Sequence, residues 1–128
     1  MEESASRFRE TVDIVLSAWR DEWLTYAGEH YSFDGVEVLP KPLQQPHPPV
    51  WMAATSESAI DWAASRGFSI LMDPHCTHAE LADKRRRYGD QLAAAGFSAA
   101  GRDLPMARLI AVAPSAERAT EVARRGAG

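Results

Sequence analysis

The chain has 128 residues, enough for one domain with a real core, but far short of the ~250 residues of a complete eight-stranded α/β barrel. Its net charge of −4 argues against a general nucleic-acid binder, and its single cysteine, Cys76, excludes an internal disulfide and fits a reducing cytoplasm. No segment has the ~20 consecutive apolar residues of a membrane span, and the polar, acidic N-terminus has no signal core.

Residues Arg7 to Ala27 read as a helix, and residues 1–28 as the segment it organises. Phe8, Val12, Val15, Leu16, Trp19 and Trp23 recur at helical spacing as one apolar stripe, and Gly28 is the expected stop. Two short β pieces, Tyr31–Phe33 and Val36–Leu39, flank Asp34-Gly35, a hairpin turn signal. Five of the eight prolines then crowd between Pro40 and Pro49, which makes residues 29–49 a ribbon followed by an extended connector.

From residue 50 to residue 128 strand-like and helix-like runs alternate. The strands are Val50–Ala54, Phe68–Met72 and Met106–Ala113; the helices are Ser58–Arg66, His78–Ala95 and Ala116–Arg125. Thr77-His78-Ala79-Glu80 matches a capping box, Ser115 precedes the last helix, and Gly96 closes the second. Such alternation specifies an α/β fold with a parallel βαβαβα block.

The turn Ala54-Thr55-Ser56-Glu57-Ser58 joins a buried strand to a helix start, where free amides and hydroxyls suit an anion. The same hydroxyls serve equally as helix caps, and the residues alone leave both roles open. Lys84-Arg85-Arg86-Arg87 shares its helix with Glu80, Asp83 and Asp90 and reads as a solvated face. His75-Cys76-Thr77-His78 lacks the fourth ligand and the spacing of a structural zinc site, so no metal is expected and the segment reads as a loop. No nucleophile elbow, phosphate loop or dinucleotide fingerprint is present, and no catalytic residue is assigned.

An ordered set of motifs adds to this reading: Arg7-Phe8-Arg9-Glu10 with Trp19, Pro40-Lys41-Pro42-Leu43-Gln44, Pro46, Pro48 and Pro49, then Ser56, Ser58, Ala63, Ala64 and Gly67. In this order, from about Arg7 to about Ala123, the chain resembles the luciferase-like flavin-dependent monooxygenases. The resemblance implies the C-terminal portion of a TIM barrel, forming a single partial domain over residues 1–128. It implies FMN as cofactor, reduced and used with oxygen to oxidise a small organic substrate. Thr55, Ser56 and Ser58, the amide of Glu57, and Ala54 at the strand end would then hold the flavin phosphate. Glu57 would turn its carboxylate away. The turn lacks the glycine that many relatives place there.

The resemblance further implies a flavin reductase as partner, a homodimer in full-length relatives, and catalytic residues largely in the preceding half of the barrel. Two alternatives stand beside it: a deazaflavin-dependent oxidoreductase of the same superfamily, and a non-catalytic remnant that assembles only with a partner. An isolated open sheet of this kind is expected to self-associate through its uncovered face and edges.

Overall fold

A computed structural model describes residues 2–100, 102, 104–106 and 110–126, with Glu2 described by its backbone alone. The described chain is a mixed α/β structure with four helices and two small sheets. It divides into two compact units, Met1–Pro49 and Val50–Gly128, with the division at the end of the proline-rich run.

In the first unit, helix α1 spans Glu2–Arg20 and is followed by strand β1, Trp23–Ala27, and strand β2, Ser32–Glu37. The helix thus begins before the expected Arg7 and ends well before the expected Ala27. Trp23 fits the helical stripe, but it opens a segment of period two in which Leu24 is buried between exposed Trp23 and Thr25. The end of α1 is held by Lys41, whose Nζ donates to the carbonyls of Ala18 at 2.8 Å and Asp21 at 2.6 Å. An ammonium at a helix C-terminus satisfies orphan carbonyls and complements the dipole.

The two β pieces expected around Asp34-Gly35 are instead one strand, antiparallel to β1. The reversal lies at residues 28–31, closed by Gly28 N–H donating to the Tyr31 carbonyl at 2.9 Å. Asp34 and Gly35 stand together opposite Thr25, between the pairs Leu24↔Val36 and Tyr26↔Phe33, and form a bulge. Gly35 takes φ +59°, and its N–H donates to Thr25 Oγ1 at 3.2 Å. A turn signal and a bulge signal are the same residue type asked for the same positive φ.

The second unit opens with β3, Trp51–Ala53, α2, Glu57–Ser65, β4, Ser69–Leu71, and α3, His78–Ala94. Strands β3 and β4 are parallel, with Trp51 opposite Ser69 and Ala53 opposite Leu71. One further parallel bridge joins Met72 to Met106. Among the described residues of the expected strand Met106–Ala113, Met106 pairs and 110–113 do not; residues 107–109 lie outside the described residues. Helix α4, Ala116–Gly126, is capped by Ser115, whose Oγ accepts from Arg118 N–H at 3.2 Å; none of its described residues is buried.

The core of this unit is Ile60, Ala63 and Ala64 of α2, Phe68, Ile70 and Met72 of the strand region, and Leu81, Tyr88 and Leu92 of α3. Tyr88 is almost fully buried, and its hydroxyl donates to the Phe68 carbonyl at 2.9 Å. Both helices end the same way. Phe68 N–H reaches the Ala63 carbonyl and Gly67 N–H that of Ala64; Phe97 N–H reaches Leu92 and Gly96 N–H reaches Ala93. These are Schellman stops with glycine at φ +69° and +82° and phenylalanine next in sequence.

Candidate functional site

The carboxyl ends of β3 and β4 open onto a cleft of about 480 Å³. Its walls are Ala53, Leu71, Met72, Pro74, Pro105 and Met106, with Thr55 and Asp73 as its polar residues. A mostly apolar cleft with a few polar groups at the ends of parallel strands is where α/β folds place small ligands.

The anion-suited turn lies beside this cleft. Thr55, Ser56, Glu57 and Ser58 are all exposed. Ser56 is the N-cap of α2: its Oγ accepts from Ala59 N–H at 3.3 Å and lies 3.2 Å from Ser58 Oγ. Ala54 differs from its neighbours. It is buried, and its N–H donates to the Leu71 carbonyl at 3.3 Å, so its amide is not open to a ligand. Capping and anion contact are compatible in Ser56, because the cap uses an oxygen lone pair and leaves the hydroxyl proton to another acceptor.

Glu57 is drawn to the side. Its carboxylate meets Arg87 Nη1 at 2.9 Å, while Arg87 Nε and Nη2 form a two-pronged pair with Asp61 at 2.7 and 2.6 Å. Hydrogen bonding from Arg87 holds the Asp61 carboxyl below its ordinary range. Arg87 was read from sequence as part of a solvated face. The helix instead splits that cluster: Arg85 and Arg86 are exposed, with Arg86 pairing locally with Asp83, whereas Lys84 and Arg87, one turn apart, are half-buried with partners outside the helix.

The loop beyond β4 is tied by local bonds. Asp73 Oδ1 accepts from His75 N–H at 2.9 Å, which lowers the Asp73 pKa; Lys84 Nζ lies 3.0 Å from Cys76 Sγ, which raises that of Lys84. Thr77 and Glu80 form the expected capping box, with Thr77 N–H donating to Glu80 Oε2 at 2.7 Å. Among the described residues no group of three or more His, Cys, Asp and Glu converges as a metal site, and no helix is long and apolar enough to cross a membrane.

In the first unit, the glutamate of the Arg-Phe-Arg-Glu motif has a structural partner that sequence reading did not supply. Glu10 is buried, and its carboxylate accepts from His30 N–H at 3.1 Å and from Tyr31 N–H at 2.7 Å. Gly28 leaves room for it: a Cβ there would collide with Glu10 Oε1.

The model of the luciferase-like monooxygenase family matches residues 1–127. The chain belongs to this family. A monooxygenase of known crystal structure, RslO1 from Streptomyces bottropensis, superposes with a TM-score of 0.82 at 27% identity, over 99% of this chain and 39% of that one. An uncharacterised protein of Sinorhizobium fredii, y4wF, is 31% identical over 93% of this chain and 34% of its own length. The oxygenase component of flavin-dependent trigonelline monooxygenase from Acinetobacter baylyi is 30% identical over 56% of this chain and 19% of its length. The FMNH2-dependent dimethylsulfone monooxygenase of Pseudomonas putida is 30% identical over 49% and 17%. The chain thus spans about a third or less of the length of these curated relatives.

Proposed function

We propose that this chain forms the C-terminal part of the TIM barrel of a flavin-dependent monooxygenase, and that the Thr55–Ser58 turn holds the phosphate of FMN. The observation that carries the reading is the juxtaposition of an apolar cleft at parallel strand ends with an exposed, serine-capped helix start. The donors fit the group. Thr55, Ser56 and Ser58 offer hydroxyls, and the first turn of α2 offers amides directed along the helix axis. Ala53, Leu71 and Met106 offer an apolar wall for the ring system.

When bound, FMN supplies a reduced ring that reacts with oxygen; the protein's share is to bind, orient and exclude water. Thr55 and Ser58 would orient the phosphate, and the apolar wall would keep water from the ring. The trigonelline and dimethylsulfone monooxygenases are both flavin-dependent, and the first is the oxygenase component of its system, which supports a separate reductase as the source of reduced flavin. The substrate is a small organic molecule.

The test is a titration of the chain with FMN and with riboflavin, which differ by the phosphate alone, followed by NMR at the Glu57 and Ser58 amides. FMN shifts these amides and riboflavin does not. Replacing Ser56 and Ser58 with Ala removes charge-assisted bonds worth about 1.5–3 kcal/mol each, and so weakens FMN by about a hundredfold or more while riboflavin is unchanged. Equal binding of both flavins, or silent amides, refutes the phosphate assignment and leaves the turn as a helix cap.

A further inference from the structure

The first residue of α2 poses an electrostatic problem. Glu57 stands at the helix N-terminus, where the dipole and the open amides attract its own carboxylate. A carboxylate resting there would occupy or repel the site of any incoming anion. The structure shows it elsewhere, 2.9 Å from Arg87 Nη1 on α3.

Arg87 is prepared for this. Asp61, one turn along α2, fixes two of its nitrogens at 2.7 and 2.6 Å, so the guanidinium is oriented before Glu57 reaches it. Glu57 alone would gain little from an exposed ion pair, since its side chain is 76% exposed. Pairing with an already immobilised fork removes much of the entropic cost. Asp61, Arg87 and Glu57 together carry one net negative charge; without Arg87 they carry two, beside the turn.

We propose that Arg87 is a positioning residue for the anion turn, holding the Glu57 carboxylate off the first-turn amides of α2 so that they remain open to a phosphate. The proposal rests on the phosphate reading above. Arg87 acts through Glu57 and does not touch the ligand, which gives it a signature distinct from damage to the fold.

The experiment measures FMN and riboflavin binding to the chain by NMR in four forms: unmodified, Arg87→Gln, Glu57→Gln and the double variant. Arg87→Gln is expected to weaken FMN about five- to tenfold, from the freed charge at close range, with riboflavin unchanged. Adding Glu57→Gln restores FMN affinity to within about twofold, because the competing carboxylate is gone. Loss that Glu57→Gln does not restore, or no loss at all, overturns the proposal. If Arg87→Gln does not fold, Arg87→Lys decides: an ammonium keeps the charge beside Asp61 but has no fork to hold Glu57 as well, so FMN weakens by more than about twofold with riboflavin unchanged, whereas FMN affinity within about twofold overturns the proposal. Absence of phosphate-dependent binding in the unmodified chain overturns the phosphate reading and this proposal with it; binding that is lost on Ser56/Ser58 replacement but indifferent to Arg87 overturns this proposal alone.

Discussion

Glu10 is a buried carboxylate whose replacement tests how the first unit is held together. Its carboxylate closes the β1–β2 reversal from the helix side, accepting from His30 and Tyr31 amides twenty residues away in sequence. Glu10→Gln can keep Oε1, which accepts from both Tyr31 and His30 N–H, but it puts an NH2 donor in place of Oε2, the second acceptor of the shared His30 N–H, and removes the charge that strengthens both bonds. The lost charge and the donor facing His30 N–H together cost about 1.5 kcal/mol. Glu10→Ala removes both bonds; since water reaches exposed Tyr31, the lower end of two such bonds applies, about 3 kcal/mol. The direct assay is amide hydrogen exchange. Protection at His30 and Tyr31 should fall by about tenfold or more in Glu10→Gln and by about a hundredfold in Glu10→Ala, up to the limit of global unfolding. The Ala54 and Met72 amides, bonded within the second unit, are the internal control and should not move. Unchanged protection at His30 and Tyr31 in Glu10→Ala would refute the reasoning, as would equal losses in both units.

Two further outcomes follow from the second unit. Gly67→Ala should destabilise more than Gly96→Ala: both need positive φ, costing about 1–3 kcal/mol in a non-glycine, but a Cβ at Gly67 also meets the Phe97 ring at 2.8 Å while Gly96 faces open space. Equal urea midpoint shifts would contradict this. Stability should also fall in acid. Asp61 is held low by Arg87, Asp73 by the His75 amide and Glu80 by the Thr77 amide. Their contributions are complete above ordinary carboxylate values of about 4 and are lost as pH falls through the depressed folded values. Asp61→Asn should flatten that decline in urea titrations between pH 6 and 3; an identical slope would argue against the Arg87 pair.

What the sequence made legible was local. Thr77 with Glu80, Ser56 and Ser115 announce their helices because a cap and its amides lie within three residues. The strand–helix alternation after residue 50 emerges for the same reason, and so do the ordered motifs that point to the family. What stayed hidden depends on partners far along the chain. Glu10 meets His30, Lys41 meets Ala18, and Arg87 meets Asp61, at separations of 20 to 26 residues. The end of α1 was misread because Trp23 satisfies both a helical and an alternating period. Ala54 belonged by position to the anion turn, but only the parallel register shows that its amide already bonds Leu71.

The paired glycine–phenylalanine stops have a mechanical meaning. The ring of Phe97, which ends α3, lies over Gly67, which ends α2, and Arg102 Nη1 donates to the Gly67 carbonyl at 2.6 Å. The foot of α2 is thus seated in a socket made by the next helix and its exit loop. Nine residues of helix make a strut of about 13 Å. Its far end is the serine-capped turn, so the height of that turn above the strand ends is set at the opposite pole. A substitution at the socket, remote from any ligand, would tilt the strut and displace the hydroxyls it carries.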